Sequence, residues 1–387
     1  MTPKRILISA GEASGDLYAA SLAARLKRSW PEADFFGCTG PRMRAVGVRS
    51  VVDAASLAVV GLVEVLAHIP RIYGEYRKLV AAARAQRPDL AILTDSPDFH
   101  LRLAARLKAM GIPVIYLVAP QVWAWRQGRL GQMRQVIDRL LCIFPFEEEF
   151  FGLNDIPVTY IGHPLAVLAR TSISRAEFFR KHRLPVDRPL IVVLPGSRRG
   201  EAAKHLDTLL ETVNRLYQKQ AASFLLPASA TTGAAFFRER IGRAPIQVVE
   251  GETWDAIGHA DLALAASGTV TVEAALLGTP MVTYYRVSPV SWFLGRRFVK
   301  APFLSMVNLV AGRKIVPELM QSEFTADRLT AEASRILGDE TVRRQMKADL
   351  ADMAGRLSIG ADPMDRAASA IEAVLERLNT KEEAIHV

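Results

Sequence analysis

The stretch LIVVLPGSRRGE, Leu190 to Glu201, decides the fold of this chain. A short apolar run fit for a buried strand passes into Pro195, Gly196 and Ser197, then into a charged segment that opens at Arg198 and Arg199. LALAASGTVTVE, Leu262 to Glu273, repeats the pattern: an apolar run, then Ser267, Gly268 and Thr269, then a helical segment carrying Glu273. A strand that ends in Gly and Ser before a helix leaves backbone N–H groups at the positive end of the helix dipole. A phosphate binds there without needing a metal. Two such turns in one half of a chain predict a diphosphate held across the carboxyl edge of a parallel sheet.

On both sides of these turns, apolar runs alternate with helical stretches. In the first half the expected strands are Arg5 to Ala10, Leu90 to Thr94, Pro113 to Val118, Leu140 to Phe144 and Val158 to Ile161. Helical spacing follows at Asp16 to Ser29 and Leu101 to Met110. In the second half the strands are Leu190 to Leu194, Ser223 to Pro227, Ile246 to Val249, Leu262 to Ala266 and Pro280 to Tyr285, with helices from Thr325 to about Leu378. This alternation predicts an α/β protein of two Rossmann-like, doubly wound domains facing a cleft. The mixed segment from Pro164 to Pro189 reads as the junction. It divides an N-terminal domain, 1–165, from a C-terminal domain, 166–364, and leaves a last helix, 365–387, able to return to the first domain.

The 387 residues carry 49 Lys and Arg against 40 Asp and Glu, a net charge of +9, which favours anionic partners. Cys38 and Cys142, the only cysteines, are too far apart in sequence for a zinc motif or a disulfide framework, so a reducing cytoplasm is expected. The run Ile6 to Ala10 is too short for a signal peptide, and no stretch reaches the ~20 apolar residues that span a bilayer. Leu57 to Ile69, which includes Leu62 and Val65, is apolar around nearly all of a helix and is followed by Arg71, Tyr73, Tyr76, Arg77 and Lys78. It is either a core helix or one that dips into a membrane interface. Phe99 to Ile137 and Ala274 to Pro317 contain no acidic residue and interleave Arg and Lys with Trp123, Trp125, Trp292, Phe293, Phe298 and Phe303. Such stretches suit a lipid headgroup boundary, a single-stranded nucleic acid or an ordinary solvated face.

Two acidic turns stand out in the first half. Gly11-Glu12-Ala13-Ser14-Gly15-Asp16 follows the first strand without dinucleotide spacing, and places Glu12 and Ser14 at the sheet edge. Asp95-Ser96-Pro97-Asp98 follows another buried strand. Asp98 there is either a general base or a helix cap. His163 reads as structural, and the seven histidines show no metal-binding spacing.

Taken in order, AGEASGD (Ala10 to Asp16), DSPDF (Asp95 to Phe99), PQVWAWR (Pro120 to Arg126), GHP (Gly162 to Pro164), LPGSR (Leu194 to Arg198), ASGT with Glu273, and NLVAGR (Asn308 to Arg313) resemble the lipid-A-disaccharide synthases, a glycosyltransferase family of the Gram-negative cell envelope. Met306-Val307 stands where that family usually has Leu-Pro. The resemblance implies a B-type glycosyltransferase fold. It implies inverting transfer of 2,3-diacylglucosamine from UDP-2,3-diacylglucosamine onto 2,3-diacylglucosamine 1-phosphate, giving the β-1,6 disaccharide 1-phosphate and UDP.

The expected UDP-binding set is Gly196, Ser197, Arg198, Ser267, Gly268, Thr269, Glu273 and Asn308, with Arg198 offsetting charge on the leaving group and Glu273 accepting from ribose hydroxyls. Asp98 is the expected base, with Glu12 its competitor. Ser14, Trp123, Leu62 and Val65 are expected on the acceptor and lipid side. No cofactor, metal or nucleic acid is expected, the location is the cytoplasmic face of the inner membrane, and a homodimer stays open. The alternatives are a peptidoglycan glucosaminyltransferase, a UDP-sugar epimerase, or a non-enzymatic basic protein that binds RNA or membrane.

Overall fold

The structure is a computed structural model that describes residues 4–57, 62–124, 126–229, 231–287 and 302–385, with backbone alone over 62–68, 378–379 and 381–385. Trp125, Trp292, Phe293, Phe298, Arg296, Arg297 and Lys300 lie outside the described residues, as do the side chains of Leu62 and Val65. The chain forms two compact units. One comprises Met1–Pro164 and Leu357–Val387, the other Leu165–Arg356. The return to the first unit therefore begins at Leu357, ahead of the expected residue 365.

In the first unit β1 (Arg5–Ala10), β2 (Asp34–Thr39), β3 (Arg49–Asp53), β4 (Leu90–Thr94), β5 (Val114–Leu117), β6 (Arg139–Cys142) and β7 (Val158–Tyr160) form a parallel sheet in the order β3-β2-β1-β4-β5-β6-β7. Helices α1 (Ala13–Ser29), α2 (Pro41–Ala45), α3 (Leu62–Gln86), α4 (Pro97–Lys108), α5 (Leu130–Val136) and α6 (Pro145–Gly152) connect the strands. The strands read as continuous apolar runs because helices cover both faces: every residue of β4 is buried. The core on one face joins Leu7, Phe36, Leu93, Leu103, Tyr116 and Leu140.

In the second unit α7 (Leu165–Leu168) and α8 (Arg175–His182) lead to β8 (Leu190–Leu194), α9 (Arg199–Gln220), β9 (Ser223–Ala228), α10 (Ala234–Arg238), β10 (Gln247–Glu250), α11 (Thr253–Gly258), β11 (Leu262–Ala266), α12 (Thr269–Leu276), β12 (Met281–Tyr285), α13 (Met306–Ala311) and β13 (Glu318–Met320). The strand order is β10-β9-β8-β11-β12-β13, again all parallel. Helices α14 (Ala326–Gly338) and α15 (Glu340–Leu357) follow. The last helix, α16 (Pro363–Ile385), belongs to the first unit and is tied to α1 by an Arg25–Asp365 ion pair. His163 is buried where the chain returns. Its backbone N–H donates to Leu357 O at 2.9 Å and its ring lies 5.2 Å from that of Phe144.

Each sheet reverses its winding between two hydrogen-bonded neighbours, β1 and β4 in the first unit, β8 and β11 in the second. Loops leaving adjacent strands in opposite directions open a crevice at the carboxyl edge, where α/β proteins bind ligands.

Candidate functional site

In the second unit, Leu194 of β8 is paired with Ala265 of β11, so the two glycine turns emerge side by side. At the first, the carbonyl groups are tied back into the protein. Tyr284 Oη donates to Leu194 O at 2.9 Å, His205 Nδ1 donates to Pro195 O at 2.8 Å, and Thr232 Oγ1 donates to Ser197 O at 2.8 Å. The His205 Nε2 atom accepts from Arg286 N at 3.1 Å, which fixes the neutral tautomer. Burial lowers its pKa to the same end.

Gly196 has φ +122, and a Cβ there would lie 2.6 Å from the carboxyl carbon of Glu201. A larger residue would meet both backbone strain and a clash. The Glu201 carboxyl packs against the turn at Gly196, where Arg198, Tyr285 and the backbone of Ser197 favour its ionised form. Glu201 is thus a built-in anion at the head of α9, and burial raises its pKa against the opposing pull of Arg198 and these donors. Arg198 caps α9 with extended backbone, so a guanidinium stands at the same helix end.

At the second turn the N–H groups of Gly268, Thr269 and Val270 open α12 and have no intrahelical acceptor. Ser267 is committed elsewhere: its N–H donates to Tyr284 O at 2.8 Å and its hydroxyl to Leu304 O at 3.0 Å. The donors at this turn are therefore the N–H groups of Gly268 and the first residues of α12. Trp254 Nε1 holds one oxygen of Glu273 at 3.1 Å, and burial raises the pKa of that carboxyl.

Asn308 is a correction to the expected UDP set. It is fully buried and its amide is spent inside the unit. Oδ1 accepts from Ile315 N at 2.7 Å and Val316 N at 3.0 Å, while Nδ2 donates to Val316 O at 3.0 Å and Glu318 Oε1 at 2.8 Å. Glu318 in turn holds Ser305 N and Leu304 N. Asn308 therefore orders the segment on which Ser267 leans.

In the first unit the two acidic turns lock together. Asp95 Oδ1 accepts from Gly11 N at 2.9 Å and Oδ2 from Glu12 N at 3.0 Å. A Cβ on Gly15 would come within 1.7 Å of Asp95 Oδ2, which is why this turn is glycine-flanked. The Asp95 carbonyl accepts from Tyr116 Oη at 2.5 Å and His100 Nδ1 at 3.0 Å, and Ser9 Oγ donates to His100 Nε2 at 2.7 Å. His100 is completely buried and its pKa is pushed down to about 4 by that burial, so the ring is neutral. Asp95 and Ser96 both have positive φ, +54 and +37, and these hydrogen bonds hold the strained corner from which α4 starts. Asp16, in the first turn of α1, caps α2 by accepting from Gly40 N, Arg42 N and Met43 N.

The corner presents Asp98 in the first turn of α4, exposed and paired with Arg126 and Arg129, while Ser96 occupies the cap position. Glu12 is exposed at the cap of α1, and Ser14 is half-buried as the second residue of that helix. Trp123, in the loop after β5, donates its Nε1–H to Glu147 Oε1 at 3.1 Å and packs edge-on to Phe146. Glu147 is fully buried, and burial raises its pKa to about 8. Glu12, Asp98 and Trp123 thus follow three neighbouring strands, β1, β4 and β5.

Sequence reading missed Asp95, whose pKa burial first, and the charge of Glu12 second, push up to about 7. The folded state keeps a proton that the unfolded chain has released, so this group's contribution favours folding at low pH and is lost as pH rises to about 7. Asp95→Asn should therefore gain thermal stability relative to the wild type as pH rises from about 4 to 7. Melting curves that run parallel across that range would refute this.

Among the described residues no three His, Cys, Asp or Glu side chains cluster as metal ligands, and no helix is long and apolar enough to cross a membrane. The family model described as lipid-A-disaccharide synthetase matches residues 6–371. The chain is 63% identical over 372 residues to a lipid-A-disaccharide synthase of Solibacter usitatus, covering 96% of this chain and 98% of that one. It is 42% identical over 380 residues to one of Koribacter versatilis, covering 96% and 99%. Among solved structures it is similar to a UDP-GlcNAc 2-epimerase from Neisseria meningitidis, solved with UDP-GlcNAc, with TM-score 0.67, 13% identity and coverage of 96% and 100%. The glycosyltransferase of kitacinnamycin gives TM-score 0.64 at 16% identity, with coverage of 97% and 100%. These two likenesses show the fold.

Proposed function

The chain belongs to the lipid-A-disaccharide synthase family, and on that basis we propose how its residues divide the transfer of a diacylglucosamine from its UDP carrier. It is a glycosyltransferase of lipid A biosynthesis. The donor in our reading is UDP-2,3-diacylglucosamine and the acceptor 2,3-diacylglucosamine 1-phosphate.

The observation that carries the assignment is the adjacency of the turns after β8 and β11, with a guanidinium at the head of α9. The UDP diphosphate lies over these helix starts, where the N–H groups and Arg198 face it. Its oxygens take the place beside Gly196 against which the Glu201 carboxyl packs. Glu273, steadied by Trp254, accepts from the ribose hydroxyls. In the step itself the acceptor's 6-hydroxyl attacks the anomeric carbon from the face opposite UDP. The new C–O bond forms as the bond to the diphosphate breaks, its electron pair staying on UDP. Arg198 and the two helix starts offset that charge, so no metal is invoked. The hydroxyl proton passes to Asp98, with Glu12 as the competing acceptor.

Acylated sugars require the enzyme to meet a bilayer. The start of α3, with Leu62 and Val65, is our candidate for the contact on the cytoplasmic face of the inner membrane. Ile69 and Tyr73 farther along α3 are 50% and 59% exposed, large apolar surfaces that support this reading. An assay of UDP release with both diacylated substrates on vesicles tests the whole reading. Turnover should persist in EDTA and fail with unacylated donor, and Leu62→Glu with Val65→Glu should loosen vesicle binding while sparing affinity for UDP. Abolition by EDTA, or equal use of unacylated donor, would overturn it.

A further inference from the structure

Asp98, the carboxylate assigned to accept the proton, is already engaged. Arg126 Nη1 lies 3.1 Å from Asp98 Oδ1 and 3.0 Å from Oδ2, and Arg129 Nη2 also donates to Oδ1. Oδ1 is occupied by two guanidinium groups and Oδ2 is shared with Arg126, so a substrate hydroxyl meets a carboxylate whose charge and lone pairs are largely committed. The arrangement is also poorly explained as a device for stability. The Asp98 side chain is 69% exposed, Arg126 42% and Arg129 21%, and exposed ion pairs contribute little to folding.

The local backbone points the same way. Arg126 has φ +62, a left-handed conformation that disfavours a side chain. It caps the short 3-10 turn Gln127–Arg129, which brings Arg129 round to the same carboxylate. Strain of this kind persists where a fixed direction serves a site. The loop directs a pair of planar, multiply donating cations onto one exposed anion. That donor geometry matches a phosphate at least as well as a carboxylate. A phosphate monoester carries more charge and more acceptor oxygens than Asp98, so it competes successfully for both arginines.

The acceptor in the proposed reaction is a phosphate monoester at C1 with its nucleophile at O6. We propose that Arg126 and Arg129 bind the acceptor's 1-phosphate, and that in its absence they hold Asp98 closed. Arrival of the phosphate then does two things: it anchors the acceptor and releases the carboxylate that takes the 6-hydroxyl proton. Both arginines stay protonated throughout and no bond is made or broken by the exchange. This rests on the reading of Asp98 as the base.

The test compares 2,3-diacylglucosamine 1-phosphate with 2,3-diacylglucosamine as acceptors, in the wild type and in R126A, R129A and the double variant. With the phosphorylated acceptor the double variant should lose at least about tenfold in kcat/KM, mostly through KM. With the dephosphorylated acceptor its kcat/KM should rise, because Asp98 is no longer held. The preference for phosphate therefore collapses, while KM for the UDP donor stays as it was. Equal losses with both acceptors, or an unchanged preference, would overturn the proposal. Should the double variant fail to fold, R126K and R129K measure the same preference with charge retained. Asp98→Asn separates the two levels. Near-normal turnover there defeats the base assignment and the gating with it, whereas unchanged phosphate preference in the arginine variants defeats the phosphate pair itself.

Discussion

Asp98→Asn is expected to lower kcat by about 10²- to 10⁴-fold, the usual yield of a positioned general base. The amide is nearly isosteric, so the α4 start and the Asp95 corner beneath it should keep their form. Asp98 belongs to the first unit and the turns proposed to hold the nucleotide belong to the second, so KM for the UDP donor and the affinity for UDP should hardly move. The loss is then a loss of turnover, which marks an interaction made in the transition state. Turnover within a few-fold of the wild type would transfer the role to Glu12, which caps α1 beside the same corner.

Arg198→Ala should cost about 10²- to 10³-fold in kcat, the range seen when one preorganised donor to a developing charge is removed. In the proposed reaction, bond breaking leaves negative charge on the diphosphate where α9 and α12 begin, and Arg198 supplies the full positive charge among those partial ones. UDP itself should bind more weakly to this variant, because the product carries the completed charge. Arg198→Lys should recover part of the rate but not all of it, since an ammonium lacks the paired donors of a guanidinium. A rate insensitive to Arg198→Ala would mean that the helix starts alone carry the leaving group.

The contrast between the two turns of the second unit shows what a sequence signal conveys. Gly196 and Gly268 are legible because a tight strand-to-helix turn is local backbone chemistry, spelled out within a few residues. Glu201, whose carboxyl packs on the first turn, lies close in sequence, yet the ionisation of that carboxyl also depends on Tyr285 at the end of β12. Asn308 is misread from sequence for a similar reason. An exposed ligand and a buried amide with four partners look alike as letters. Three strands, β2, β3 and β13, are also missing from the sequence pattern. β2 is interrupted by Gly37, β3 is a half-exposed edge, and β13 has only three residues, so none forms a long buried apolar run.

Read as letters, the chain discloses its repeated strand–turn–helix grammar, the places of both glycine turns, and an ordered set of motifs specific enough to mark the family. Each of these depends on residues that are neighbours along the chain. Three-dimensional packing was needed to show that Asp95, 84 residues from Gly11, seals the first turn of the chain with its carboxylate, and that Asp98 sits between two arginines from another loop. Those outcomes depend on which strands lie side by side in the first sheet, β1 against β4 for Asp95 and β4 against β5 for Asp98. That adjacency is fixed by packing the sheet between helices, and no local run of residues encodes it.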